Sequence, residues 1–286
     1  MNKNLLIGFI GMGWIGANYA ANFEARGYNV VRYSLEPEYV INKDKIRECD
    51  IVFIAVPTPT TPQGFDDSIL QEVLALVGKG NIAVIKSTIL PGTTEKLQEK
   101  YPDIIVLHSP EFLTEATAKY DAFYPDRNII GYVNEAGEKA AQTVMDILPV
   151  AGYKAIVPAK VAEIIKYGGN CWFYFKVVYM NLLYDLCLKM GIDYELVKKG
   201  MSFDTRIGFT HLDVVHQGGR GAGGHCFIKD FAAFKNLYKF VNKEDMLGNT
   251  LLDYVESKNL ELLKTTGKSQ DLVKDIYEKK SQEEKA

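Results

Sequence analysis

Cys226 stands in Gly221-Ala222-Gly223-Gly224-His225-Cys226-Phe227-Ile228-Lys229-Asp230, just ahead of the helical pattern FAAFKNLYKF. A thiol at a helix N-terminus near cations can have its pKa drawn from about 8.5 to between ~3.5 and ~7.5, which yields the thiolate needed for nucleophilic attack. Asp230, four residues on, falls on the same helical face. A small buried thiol at a helix cap would read the same way, and spacing alone leaves both open. Lys166 and Asn170 form another pair four apart, with Gly168 and Gly169 between them leaving room for a ligand. An ammonium beside an amide can donate to an oxygen that gains negative charge, although a snorkelling lysine and a helix-bending amide fit the spacing too. Gly11-Met12-Gly13-Trp14-Ile15-Gly16 follows the apolar run Leu5 to Ile10 and opens a helical pattern. That context makes it a dinucleotide-binding turn, its glycines admitting a pyrophosphate to a helix N-terminus. At the end of the second strand, Ser34 replaces the acidic residue that would bond the adenine ribose, with Glu36 two positions on and Arg32 two before. Glu36 can still reach the ribose, so NAD is expected, while Arg32 beside a hydroxyl keeps NADP open.

These groups need a scaffold. Short β-rich runs at 5–10, 29–33, 51–56, 82–86, 104–108, 128–132 and 154–157 alternate with helical patterns near 14–26, 66–77, 92–100 and 134–148. Such alternation predicts βαβ units, hence an α/β, doubly wound parallel sheet of the Rossmann kind over residues 1–157. Two loops at C-terminal strand ends lie where such sheets place ligands: Lys86-Ser87-Thr88 and Ser109 to Glu115. After Pro158 the apolar residues follow helical periodicity almost unbroken to Met190, which predicts one long helix and an all-α dimerisation domain over 158–240. Residues 192–201 and 226–240 read as further helices, joined by the Gly-rich loop 217–224; from 241 to 286 the chain reads as a polar, exposed helix or frayed tail. Trp172, Phe173, Phe175, Val178, Tyr179, Leu182, Leu183 and Leu186 cover more of the long helix than one Rossmann domain can bury, so a homodimer built on it is expected.

Composition removes other classes. With 33 Lys+Arg against 36 Asp+Glu, the net charge of −3 offers no basic field for nucleic acid. The most apolar long stretch, 172–188, is broken by Lys176, Asn181 and Asp185, so no membrane span is expected. Four scattered cysteines and an N-terminus that runs straight into a strand suggest reduced thiols in the cytoplasm. The histidines at 108, 211, 216 and 225 show no metal-ligand spacing, and no metal is expected.

GMGWIG, VPTPT (56–60), KSTILPGTT (86–94), SPEFLTEATA (109–118), PDRNIIG (125–131), AEIIKYGGN (162–170), DTRIG (204–208) and GAGGHCFIKD (221–230) together resemble the UDP-glucose/GDP-mannose dehydrogenase family, in the family's order. The resemblance implies two NAD-dependent oxidations of a sugar 6-hydroxyl to a carboxylate. It makes Cys226 the nucleophile that carries a thiohemiacetal and then a thioester. Glu111 becomes the acid/base for hydrolysis, Thr88 and Asp230 position water, and Lys166 and Asn170 stabilise the oxyanion. It also implies cofactor contacts from Val56, Pro57, Thr58, Thr88 and Glu115, and substrate contacts from Glu111, Phe112, Leu113, Lys166, Asn170, Gly223 and Arg206, the last across the dimer. Family members normally continue into a third domain that holds the nucleotide; the 286 residues lack it, which raises the expectation of a separate nucleotide-binding chain. Ala222 and His225 replace the aromatic and the serine usual near the cysteine. Two rivals remain: a β-hydroxyacid dehydrogenase, which transfers one hydride and needs no thiol, and a non-catalytic dimeric scaffold.

Overall fold

The computed structural model describes residues 4–61 and 64–277. The chain divides into two compact units, Met1–Pro59 with Asp66–Lys166, and Thr60–Phe65 with Tyr167–Ala286.

In chain order the elements begin β1 (Leu6–Ile10), α1 (Trp14–Ala25), β2 (Asn29–Tyr33), a 3-10 helix (Val40–Glu48) and β3 (Ile51–Ile54). A small hairpin, β4 (Thr60–Thr61) with β5 (Gly64–Phe65), belongs to the second unit. Then follow α2 (Ser68–Leu74), β6 (Ile82–Ile85), α3 (Thr93–Lys100), β7 (Ile105–His108), α4 (Ala118–Phe123), β8 (Arg127–Tyr132), α5 (Glu135–Ile147), β9 (Tyr153–Pro158) and α6 (Ala159–Met190). Among the described residues the main sheet has seven strands in the order β2-β1-β3-β6-β7-β8-β9. Its strands are apolar on both faces because helices cover both. Ile7, Phe9, Phe23, Phe53, Val84, Leu107 and Ile130 form the core, with the Phe9 and Phe53 rings stacked at 5.1 Å.

The expected parallel sheet needs one correction: β8 pairs antiparallel with β7, at His108 and Gly131, while β8 and β9 are again parallel. The connection from β7 to β8 contains the short α4, which cannot run back along the sheet as a crossover must, whereas the thirteen-residue α5 can. β3 stops at Ile54, short of the expected 56, because the Val56 N–H is taken by Ser87 Oγ at 3.0 Å instead of a neighbouring strand.

The second unit continues with α7 (Tyr194–Ser202), a hairpin of β10 (Val215–His216) and β11 (Gly219–Arg220), α8 (Gly224–Val241), α9 (Met246–Thr266) and α10 (Gln270–Tyr277). One stripe of α6, Cys171, Tyr174, Val177 and Val178, packs with Phe231 of α8 and Leu252 of α9, and the Tyr174 and Phe231 rings stack at 4.0 Å. Val178 is thus core, not interface, and Phe173 is partly covered by stacking on His211 at 4.2 Å. Phe175 and Leu183 are likewise half-buried within this unit. Trp172, Tyr179, Leu182 and Leu186 remain exposed, on one stripe of the helix.

Of the exposed helix or frayed tail expected over 241–286, the structure gives helix up to residue 277 but corrects its exposure. Leu252, Leu262, Leu263 and Ile276 are buried, and Leu263 and Ile276 pack with Ile228 and Ala232 of α8. A sequence polar on average hides a narrow apolar face, and that face suffices to fold two helices back onto α8. Residues 278–286, the end of that tail, lie outside the described residues. Among the described residues no helix is long and apolar enough to cross a membrane.

Phe53 touches both Phe9 and Phe23 in the sheet core, with ring centroids 5.1 and 5.3 Å away. Phe53→Ala should lower the stability of the N-terminal unit by about 3–5 kcal/mol, read as a drop in the urea midpoint followed by circular dichroism.

Candidate active site

β1 delivers the chain into a turn that only glycine can make. Gly11 has φ +89° and its N–H donates to the Tyr33 carbonyl at 2.9 Å. A Cβ there would lie 2.2 Å from the Ala55 carbonyl oxygen, and a Cβ on Gly16 would lie 1.8 Å from that of Gly11. At Gly13, in contrast, a Cβ would meet nothing within 4 Å. α1 has no acidic residue in its first turn and no side-chain cap, so its first N–H groups are left for an external anion. Trp14 is exposed there and Ile15 packs on the core.

Beside the turn lies a cavity of about 330 Å³, lined by Gly11, Tyr33, Ser34, Leu35, Val56 and Pro57 with Ile69, Val73 and Leu76 as apolar wall and Lys43 and Glu72 at its polar edge. Ser34 Oγ accepts from the Glu36 N–H at 3.3 Å, which leaves the hydroxyl proton to donate, and Glu36 itself is exposed. Arg32 is committed elsewhere: its Nε and Nη2 donate to the two Glu24 carboxylate oxygens at 2.9 and 2.7 Å. The cation expected to favour NADP is therefore already neutralised. Lys43 went unread in the sequence because no motif spacing ties it to the turn. An uncapped helix N-terminus, an open position at Gly13 and an apolar slot ending in a hydroxyl fit a dinucleotide.

The next loops are stitched together. Ser87 Oγ accepts from the Val56 N–H and donates to the Val56 carbonyl at 2.7 Å, and Thr58 Oγ1 donates to the Thr88 carbonyl at 2.7 Å. From α6, Glu163 closes the far end of the Thr88 loop: its carboxylate accepts from the N–H groups of Gly92 and Thr94 at 2.6 and 2.9 Å and from the Thr94 hydroxyl at 2.6 Å. Burial pushes the Glu163 carboxyl pKa up, against the pull of those donors. Glu163 lies within the AEIIKYGGN stretch, three before Lys166, but nothing in its spacing gives it a partner.

Glu111 and Lys166 are both buried and paired, Lys166 Nζ donating to Glu111 Oε1 at 2.9 Å and to the Glu111 carbonyl at 2.7 Å. The Leu113 N–H donates to Glu111 Oε2 at 2.7 Å. The Phe112 ring lies under the Arg127 guanidinium at 3.8 Å, and Glu115 is exposed on a 3-10 turn, Glu115–Thr117. Lys86 is a second buried ammonium: Nζ donates to Ser109 Oγ at 3.2 Å and sits 4.3 Å from the Tyr19 ring centroid. Burial pulls its pKa down to about 7, with Glu111 opposing. His108 is fully buried with no partner in hydrogen-bond geometry at either ring nitrogen among the described residues, and burial drives its pKa down to about 3, so it stays neutral.

In the second unit Cys226 is exposed in the first turn of α8, which removes the buried-thiol reading. One turn on, the buried Asp230 accepts from Asn170 Nδ2 at 2.6 Å and from Lys229 Nζ at 2.5 Å. Lys229 is another residue the sequence reading passed over, although it adjoins Asp230. Arg206 is exposed and donates to both Asp204 carboxylate oxygens, at 2.9 and 2.6 Å. Gly223 faces Lys268, whose Cε a Cβ would approach to 2.6 Å. The His225 side chain lies outside the described residues.

Residues 39–148 match the model of the UDP-glucose/GDP-mannose dehydrogenase family's NAD binding domain, and residues 160–259 that of its central domain. A UDP-glucose 6-dehydrogenase from Rickettsia typhi is 33% identical over 229 residues, covering 75% of this chain and 52% of that protein. The chain thus spans about half the length of the curated relatives it matches. Among solved structures, a UDP-glucose dehydrogenase from Pyrobaculum islandicum superposes with a TM-score of 0.76 at 26% identity, over 91% of this chain and 68% of that one. A Mycobacterium tuberculosis 3-hydroxyisobutyrate dehydrogenase covers 97% of this chain and 99% of its own, with a TM-score of 0.71; at 15% identity the likeness is one of fold alone.

Lys86 generates a pH test. Its pKa is about 7 in the folded chain and ~10.4 unfolded, so below pH 7 both states hold the proton and the cost of the buried charge is present in full. Between those values the unfolded state binds more protons, and stability rises with pH. The urea midpoint of Lys86→Met should exceed that of the natural chain by most at pH 6, and the gap should narrow by pH 9; a gap independent of pH would refute a titrating Lys86.

Proposed function

Since the chain belongs to the UDP-glucose/GDP-mannose dehydrogenase family, we propose that it oxidises the C6 hydroxyl of a nucleotide sugar to a carboxylate in two NAD-dependent steps, with Cys226 holding the carbon between them. The observation that carries this reading is Cys226 exposed in the first turn of α8, on the helix whose Asp230 is held by Asn170 and Lys229. A single-hydride dehydrogenase has no use for that thiol.

NAD, when bound, supplies the hydride acceptor for each oxidation. The turn from Gly11 to Gly16 and the first N–H groups of α1 would hold its pyrophosphate, and Ser34 with Glu36 its adenine ribose. Val56, Pro57, Thr58, Thr88 and Glu115 line the rest of its site in this reading. The first oxidation leaves an aldehyde. The Cys226 thiolate, favoured by a helix N-terminus, adds to the carbonyl carbon, and the oxygen takes a proton to give a thiohemiacetal. Lys166 and Asn170 donate to that oxygen while it carries negative charge. Loss of a second hydride and the hydroxyl proton leaves a thioester. Glu111 then takes a proton from water, whose oxygen displaces the Cys226 sulfur and releases the carboxylate, with Thr88 and Asp230 placing the water. Phe112, Leu113 and Gly223 shape the sugar site. The reading requires a reduced thiol and hence a cytoplasmic setting.

UDP-glucose is the first substrate to test. Two NADH should form per sugar nucleotide oxidised, and Cys226→Ser should abolish the acid product. One NADH per substrate with an unaffected serine variant would instead indicate a single-hydride enzyme, and NAD binding without any turnover a scaffold.

The exposed stripe of Trp172, Tyr179, Leu182 and Leu186 supports a homodimer built on α6, with Arg206 of one copy reaching the sugar nucleotide of the other. Apolar burial is worth about 25 cal/mol per Å², so several such side chains left in water would drive association. Light scattering should give a multiple of 32.1 kDa, and Leu182→Glu with Leu186→Glu should give monomers of much reduced activity. A fully active monomer would refute the shared site.

A further inference from the structure

We infer that the corner between α9 and α10 is a mould that sets the position of Cys226, with Asn259 and Lys268 as positioning residues; this rests on Cys226 being the nucleophile. The loop just before the cysteine, residues 219–224, is too rich in glycine to hold a conformation by itself. Its backbone is instead bonded to side chains from one short stretch. Arg220 N–H donates to Thr266 Oγ1 at 3.1 Å, and Lys268 Nζ donates to the Gly221 carbonyl at 2.9 Å. The fully buried Asn259 amide closes a pair on Ala222, accepting from its N–H at 2.7 Å and donating to its carbonyl at 2.9 Å. Ser269 Oγ accepts from the Gly224 N–H at 3.2 Å, at the start of α8 and two residues before Cys226.

The glycine spacing has the same cause. A Cβ on Gly219 would come within 2.7 Å of Lys268 Cβ and Thr266 Oγ1, on Gly221 within 3.0 Å of Asn259 Oδ1, and on Gly223 within 2.6 Å of Lys268 Cε. Alternate positions face one side, and on that side the backbone lies directly against the corner. The corner itself is tight: Gly267 ends α9 at φ +70° and Ser269 follows at φ +54°. Burial lowers the pKa of Lys268, a cost offset by its bond to the Gly221 carbonyl. The segment that looks like a functionless tail in the sequence therefore holds the nucleophile's loop.

The test uses the full chain and two readouts: the rate of Cys226 alkylation by iodoacetamide as a function of pH, and kcat and KM with UDP-glucose. Lys268→Met and Asn259→Leu remove the bonds, Lys268→Arg keeps a donor, and Ser269→Ala removes only the bond to Gly224. NAD binding and circular dichroism report folding. Misplacing a reacting group by about 1 Å can cost ~100-fold, so Lys268→Met and Asn259→Leu should lower kcat by at least ~10-fold with KM little changed. Both should shift the pH midpoint of alkylation, and Lys268→Arg should return most of the loss. If Asn259→Leu or Lys268→Met does not fold, Ser269→Ala carries the test with a smaller shift in the same direction. Folded variants that alkylate with the natural rate and midpoint would overturn the inference. A natural chain that alkylates normally but oxidises no sugar nucleotide would defeat the proposed function alone, since alkylation reads the mould without turnover.

Discussion

Glu111 is one buried carboxylate that has to answer for two buried ammonium groups. Lys166 is bonded to it directly, and Lys86 feels its charge from a site where burial alone would strip the proton. Removing one partner of such a pair leaves an uncompensated charge and typically costs about 3–5 kcal/mol, so the arrangement is held in place by its own electrostatics. Much of the N-terminal unit serves that constraint. The stitches between the Val56 and Ser87 loops and the Glu163 bonds to the start of α3 satisfy further buried polar groups of this unit. Each such buried polar group is costly unless it is paired, which makes the network sensitive to the loss of any one member.

α6 does two jobs because its surface is divided. One stripe closes the core of the second unit on Phe231 and Leu252, and another remains apolar and exposed. Glu163, Lys166 and Asn170 occupy positions three and four apart on this helix. A helix fixes such spacing far more tightly than a loop can. Neither α1 at Gly13 nor α8 at Gly223 is capped by the side chain of its own N-cap residue, although Ser269 takes the Gly224 N–H that opens α8. Under the proposed function the start of α1 receives the cofactor's pyrophosphate and the start of α8 supports a thiolate, so the positive end of a helix serves an anion in each case.

Local chemistry decided a large part of what could be read in advance. The alternation of strands and helices, the Gly11 to Gly16 turn and the 32-residue α6 were all legible, because periodicity and glycine placement act within a few residues. The Cys226, Asp230 and Asn170 cluster was half legible: helical spacing pairs Cys226 with Asp230 and Lys166 with Asn170, yet nothing in it joins Asn170 to Asp230, sixty residues away.

What the sequence by itself determined, then, is which elements form and which side chains share a helix face. Tertiary structure alone decided where charges end up. Arg32 reads as a free cation until Glu24, eight residues earlier, is brought against it. Lys86 and Glu163 look like ordinary surface residues until packing withdraws their water, and Asn259 and Lys268 acquire a role only because α9 and α10 fold back onto the loop before Cys226. Burial and long-range hydrogen bonds depend on contacts between residues far apart in the chain, which no local pattern encodes.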